Sequence, residues 1–207
     1  RGAICGAGPV DPVPRAVSRR PSLRSARSLP RAVTIEARAK LNLGLAVGPK
    51  RGDGFHDLVT VFQSVTLADT LVAERTARGF TLRVRHEHAA LCGRLPAPAR
   101  QLVPVGGDNL VLRAARLMAR ELALPGGARF TLVKRIPAQA GMGGGSADAA
   151  AAMAAMLALH GRKLSAARRA EYALQLGSDV PFAMTGGTAL GMGRGEILSR
   201  LRLTSPM

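Results

Sequence analysis

The chain has 207 residues, 30 of them Lys or Arg against 13 Asp or Glu, for a formal net charge of +17. At 47% hydrophobic residues it can bury a sizeable core, which excludes a charged disordered tail as the whole molecule. The most apolar run, Ala147–Leu159, is mostly Ala, contains Asp148 and is shorter than the roughly 18 residues of a membrane span, so no membrane partner is expected.

Residues 1–31 carry seven Arg and one acid, Asp11, which accounts for +6 of the charge. This stretch contains Ser and Pro, is nearly free of acids and has no apolar h-region. It reads as a disordered, organelle-type presequence rather than a secretory signal, with a basic tail of other origin as the alternative. A plastid stroma is the expected location, and a bacterial cytoplasm the alternative. Cys5 and Cys92 form neither a metal pattern nor a disulfide framework, which fits a reducing compartment.

From residue 32 the pattern becomes that of a mixed α/β domain. Residues 33–37 and 41–47 read as two strands around a special spot at 39–42. A charged, Gly-rich turn follows at 48–54, then strands at 59–66, 70–74 and 80–85. Residues 91–107, with Pro96, Pro98 and Pro104, read as loop. Asp108 is the expected N-cap of a helix to Leu124, stopped by Pro125-Gly126-Gly127. A strand over 129–136 leads into Pro137-Ala138-Gln139-Ala140-Gly141-Met142-Gly143-Gly144-Gly145-Ser146. An Ala-rich helix then runs to His160, and a further helix spans 165–176.

The densest chemical signal is this strand, glycine loop and helix start. Gly141, Gly143, Gly144 and Gly145 allow close backbone approach, and the helix beginning near Ser146 adds its partial positive end. That combination suits a polyphosphate, with a plain hinge as the competing explanation. It is not a P-loop, because the required Lys is absent, and Ser146 replaces the third glycine of a dinucleotide fingerprint. Asp179, in Gly177-Ser178-Asp179-Val180-Pro181, fits either a turn residue bonding its own backbone or a positioned proton acceptor. Lys40, one of four lysines, is either a solvated strand residue or the partner of an acidic base. His86-Glu87-His88 with Cys92 invites a metal reading, but no second cluster completes it, and an exposed strand end is preferred. Five Phe, one Tyr and no Trp give no platform for stacking bases, so no nucleic-acid partner is expected.

Four segments together resemble the GHMP-type small-molecule kinases: Ala39-Lys40-Leu41-Asn42-Leu43, the turn from Gly52 to Asp57, the loop from Pro137 to Ala150, and Leu176 to Gly187. Asp108-Asn109-Leu110-Val111 and the stretch from Gly186 to Glu196 fit as well. The Gly54-Phe55-His56 turn with Ser178-Asp179-Val180-Pro181-Phe182 points to the branch that phosphorylates the 2-hydroxyl of CDP-methylerythritol in non-mevalonate isoprenoid synthesis. The resemblance implies an α+β fold of the ribosomal protein S5 domain 2 type over residues 32–191. It further implies that residues 192–207 begin a ferredoxin-like second domain, the remainder of which, with a Ser/Thr-containing motif, is not in this sequence. It implies ATP with Mg²⁺, and Pro137, Gly141, Gly143, Gly144, Gly145 and Ser146 as the phosphate-holding segment. Asp179 would be the base, Lys40 its partner, and Asn42, Phe55 and His56 substrate contacts. Phe55 stands where the family usually has Tyr, which keeps stacking and removes a hydroxyl contact. Other kinases of this class, acting on homoserine or mevalonate, and a basic nucleic-acid-binding protein of related fold are the alternative readings.

Overall fold

The computed structural model of the protein describes residues 28–52, 54–87 and 103–202. Cys5, Asp53, His88 and Cys92, and with them most of the expected presequence and of the Pro-containing loop, lie outside the described residues.

The chain opens with a long antiparallel pair, β1 (Ala32–Lys50) and β2 (His56–Thr76). Where two strands were expected on each side, one continuous strand forms. The polar interruptions are absorbed as register shifts between Arg38 and Lys40 and between Asn42 and Gly44 rather than as turns. β3 (Phe80–His86), α1 (Leu110–Glu121) and β4 (Gly127–Lys134) make a parallel crossover unit. Helices α2 (Gly144–Leu159), α3 (Ala166–Leu174) and α4 (Val180–Thr185) follow, and the described chain ends in β5 (Thr188–Gly193) and β6 (Ile197–Arg200).

All six strands form one sheet in the order β3-β4-β2-β5-β6, with β1 on β2. β2 is the spine. It pairs with β1 along one edge, while β4 takes residues 70–76 and β5 residues 58–63 of the other. The domain boundary expected at 191/192 falls inside β5, and β6 pairs antiparallel with that strand. Residues 192–200 are therefore part of the same sheet. The Gly-rich sequence of β5 hid it: Gly191 sits where a Cβ would lie 2.6 Å from the Phe62 ring, so only glycine lets this strand close against β2.

The core lies between the sheet and helices α1 and α2. Val111, Ala114, Ala115 and Met118 of α1 meet Ala149, Ala152, Met153 and Met156 of α2 over Leu71, Ala73, Phe130 and Leu132 of the sheet, all buried. α2 is apolar on every side because it is surrounded. Its alanines let the helix sit close to β1, whose Ala37 and Ala39 are buried beneath it. Beyond Lys40 the strand outgrows the helical layer, and Leu41, Leu43, Leu45 and Val47 are exposed.

The cap of α1 is Asn109, not Asp108. Its Oδ1 accepts from the Val111 backbone N–H at 2.8 Å, and its amide donates to the Pro104 carbonyl. Helix α3, expected over 165–176, begins at Ala166 behind a Ser165 cap and ends at Leu174. Replacing Asn109→Ala is expected to cost about 1 kcal/mol, up to about 2. Asp108→Ala, at an exposed position, is expected to stay within about 0.5 kcal/mol. Urea unfolding of both variants checks the assignment.

Candidate active site

The register shift around Ala39 buries that residue and turns Lys40 toward the helix layer. The Lys40 backbone N–H donates to the Met142 carbonyl at 3.0 Å, which ties the first strand to the glycine loop. Its ammonium lies 2.7 Å from Asn42 Oδ1, 3.3 Å from Asp179 Oδ2 and 5.0 Å above the Phe62 ring. Phe62 in turn stacks on Phe182 of α4 at 4.8 Å, so an aromatic floor holds both charged groups in place. The Asn42 amide donates to Thr60 Oγ1 at 2.7 Å, and that hydroxyl donates to the Gly44 carbonyl at 2.7 Å. The run Thr60–Asn42–Lys40–Asp179 is thus oriented end to end. Asp179 occupies the N-cap position of α4, and its carboxylate makes no capping bond, being turned to Lys40 instead.

The glycine loop adjoins this pair. Gly141 and Gly143 have φ of +70° and +66°, which favour glycine. A Cβ on Gly143 would come within 3.0 Å of Lys40 Cγ and 3.7 Å of Asp179 Oδ2. One on Gly144 would meet Ile136 at 3.0 Å. Side chains are excluded here, and the backbone lines a cavity of about 400 Å³ at the N-terminus of α2. Pro137, Gly141, Gly143, Gly144, Gly145 and Ser146 all line it, with Asp108, Asn109, Lys134 and Asp148. An occupant with anionic oxygens fits free N–H groups at the start of a 16-residue helix.

The sequence reading missed what lies beneath the loop. Lys134, at the end of β4, is buried with its ammonium between Asp69 of β2 and Asp148 of α2, the latter at 2.8 Å. Asp69 also accepts from the backbone N–H groups of Arg135 and Ile136, at 2.5 and 2.9 Å. Asp148 keeps one oxygen, Oδ1, buried and without a partner among the described residues. Burial pushes the Asp148 carboxyl up to about 7, with Asp69 adding to the shift and Lys134 opposing it. For Lys134, burial alone would lower its pKa, but the two carboxylates outweigh burial and raise it. The sequence held the signals: one acid inside the apolar Ala147–Leu159 run, one acid in the middle of β2, and one Lys closing an apolar strand.

Phe55 and His56 sit at the far end of the β1–β2 pair. His56 Nδ1 bonds the Gly48 carbonyl at 2.9 Å, and the Arg194 guanidinium lies 4.5 Å from the center of the half-exposed Phe55 ring. Measured along β1, this turn is no more than about 26 Å from Asn42 at 3.3 Å per residue. The Lys40–Asp179 pair and the Phe55–His56 turn therefore lie well apart along the β1–β2 pair. Glu87, from the metal reading, pairs with Arg135 at 2.7 Å, and among the described residues no group of three potential metal ligands occurs. No helix among the described residues is long and apolar enough to cross a membrane.

Residues 109–187 match the family described as GHMP kinases N terminal domain, and the sheet and helices have that fold. The chain is similar to 4-diphosphocytidyl-2-C-methyl-D-erythritol kinases. Identity is 46% to that of Salinispora tropica over 81% of this chain and 49% of the relative. It is 44% to that of Moorella thermoacetica, over 82% and 54%. A solved 4-(cytidine 5'-diphospho)-2C-methyl-D-erythritol kinase superimposes with a TM-score of 0.67 at 38% identity, covering 83% of this chain and 56% of that one. A homoserine kinase from Cytophaga hutchinsonii gives 0.58 at 19% identity, a likeness of fold, over 87% of this chain and 54% of its own. The chain spans about half the length of the curated relatives it matches.

Lys134→Met would leave Asp69 and Asp148 facing each other with no cation between them. It is expected to destabilise the fold by about 3–5 kcal/mol. Lys134 opposes the rise of the Asp148 pKa, so its removal makes that carboxyl protonate more readily. The loss should therefore be smaller at pH 5.5, where Asp148 is neutral in both proteins, than at pH 8. Denaturant unfolding at pH 8 and pH 5.5 checks both size and sign.

Proposed function

We propose that the protein transfers the γ-phosphoryl group of ATP to the 2-hydroxyl of CDP-methylerythritol. One observation carries this reading: the Lys40–Asp179 pair, 3.3 Å apart, adjoins Gly143 of a glycine-rich cradle at the start of α2. ATP supplies the phosphoryl group and its energy. Mg²⁺ arrives on the nucleotide, held chiefly by phosphate and water oxygens.

The loop from Gly141 to Ser146 holds the phosphates through backbone N–H groups. These dipoles are fixed before the reaction and need no reorganisation as charge shifts. Asp179 Oδ2 accepts the proton of the substrate hydroxyl as that oxygen bonds to the γ-phosphorus. The bond from the γ-phosphorus to the bridging oxygen breaks, and ADP leaves with that electron pair. Lys40 holds Asp179 in place and stabilises negative charge on the transferring group. Asn42 keeps the ammonium aimed, and Phe62 with Phe182 shields the pair. Phe55 and His56 take the cytosine at the far end of the elongated substrate, Phe55 by stacking and His56 by hydrogen bonding.

The identities near 45% to kinases named for this substrate support it over homoserine or mevalonate, for which the likeness is one of fold. Incubating the full-length protein with ATP, Mg²⁺ and each of the three alcohols decides between them. Phosphorylation of homoserine or mevalonate but not of CDP-methylerythritol would overturn the assignment. Asp179→Asn is expected to lower turnover about 10²–10⁴-fold while ATP binding is retained. Unchanged turnover would remove Asp179 from the base role.

Two locations go with this activity. The Arg-rich, acid-poor segment 1–31 supports import into a plastid, and the bacterial origin of the relatives supports a bacterial cytoplasm. Residues 1–31 fused to a fluorescent protein in plant cells separate the two. Accumulation in plastids is expected from the first and a diffuse signal from the second.

A further inference from the structure

Beneath the phosphate cradle lies a buried charge cluster with one more carboxylate than cations. Lys134 of β4 faces Asp69 of β2 and Asp148 of α2, and all three are at most 5% exposed. Asp69 has partners on both oxygens, whereas Asp148 Oδ1 has none among the described residues, and Asp148 lines the same cavity as the glycines. A Cβ on Gly144 would lie 3.2 Å from the Lys134 ammonium, so the cluster is one backbone layer below the anion. The surrounding charges do not relieve it. Lys40 of β1 and Asp179 before α4 meet each other at Gly143, Asp108 before α1 adds another carboxylate to the cavity, and the α1 face packed on α2 is apolar.

We propose that Asp148 is a positioning residue of this site that takes up a proton at Oδ1 when nucleotide phosphates fill the loop. This inference rests on the nucleotide reading given above. With the loop empty, the carboxylate shares Lys134 with Asp69. A polyphosphate placed above adds several negative charges at short range in a poorly solvated site, and the cheapest response is to neutralise the unpartnered oxygen. No bond other than O–H is made, and the proton comes from solvent. The neutral Asp148 then leaves Lys134 paired with Asp69 alone, so that the cation directly beneath Gly144 is no longer oversubscribed. The upward shift of Asp148 to about 7 puts the exchange within reach near neutral pH.

The test is calorimetry of the full-length protein with ATP and saturating Mg²⁺, no alcohol substrate, at pH 7.5 in buffers of different ionisation enthalpy. Wild type is expected to take up a fraction of a proton per nucleotide. Its affinity should weaken about 3- to 10-fold from pH 6.5 to 8.5, within the tenfold per pH unit that one proton allows. Asp148→Asn keeps volume and an acceptor for Lys134, and should bind with no extra proton and a flat pH profile. Equal proton uptake in the variant, or wild-type heats that are the same in every buffer, would overturn the proposal. The wild-type measurement stands alone should the variant fail to fold. Absence of nucleotide binding in wild type would overturn the nucleotide reading as well, whereas binding without proton uptake would overturn this inference only.

Discussion

Lys134 is an ammonium group almost removed from water, and the arrangement of three elements depends on how its charge is met. Desolvating a cation costs several kcal/mol unless opposing charges and hydrogen bonds replace water. Asp69 and Asp148 supply them from β2 and α2. The lysine therefore fixes where the end of β4 stands relative to the sheet and to the first turn of the helix. Asp69 extends the constraint by accepting the Arg135 and Ile136 N–H groups, which sets the path of the chain as it leaves β4 for the glycine loop. A loop that is mostly glycine has little stiffness of its own. Its shape is imposed from below by this cluster and from the side by the Lys40 N–H on the Met142 carbonyl.

The same economy places the Lys40–Asp179 pair. Lys40 belongs to β1 and Asp179 to the turn before α4, and their meeting requires β1 to run past α2 at close quarters. Alanines on both surfaces permit that approach, notably the buried Ala37 and Ala39 facing the Ala-rich helix. A larger residue at Ala39 would push the strand outward and draw Lys40 away from Gly143, against which its side chain packs. The poverty of aromatic residues has a related consequence: Phe62 and Phe182, two of five Phe in the chain, are stacked under the site rather than in the main core.

Much of the site could be read in the sequence because it is local. The glycine loop is contiguous, helix α2 follows it directly, and the resemblance supplied Lys40, Asn42 and Asp179 in their separate segments. What could not be read depends on strand pairing. Asp69 and Lys134 are 65 residues apart and meet only because β2 pairs with β4, so although each charge stands out in its own apolar strand, neither local sequence shows that the two are partners. The long strands were misread for a similar reason. Asp69, in the gap left between the strands expected at 59–66 and 70–74, looks like a turn when that window is read alone, yet pairing with β1 and β4 carries β2 through it. Asp108 and Asn109 are equally good caps by type, and the choice was made by the Pro104 carbonyl that holds the Asn109 amide.

The net charge of +17 suggests a cationic pocket for a polyphosphate, and the geometry contradicts that expectation. Among the described residues, the charged groups at or just under the cradle are Lys40, Lys134, Asp69, Asp148 and Asp179, with Asp108 on the rim, so carboxylates outnumber ammonium groups there. Attraction for an anion must then come from the backbone: the N–H groups of the glycine loop and the exposed start of α2. Such dipoles act over a few ångströms, whereas the excess arginines elsewhere act over about a Debye length, roughly 8–10 Å at physiological salt. On the proposed nucleotide reading the two would divide the work. Distant arginines would raise the local concentration of anionic substrates, a contribution that weakens with salt. The cradle would hold the phosphates by short contacts that salt screens little.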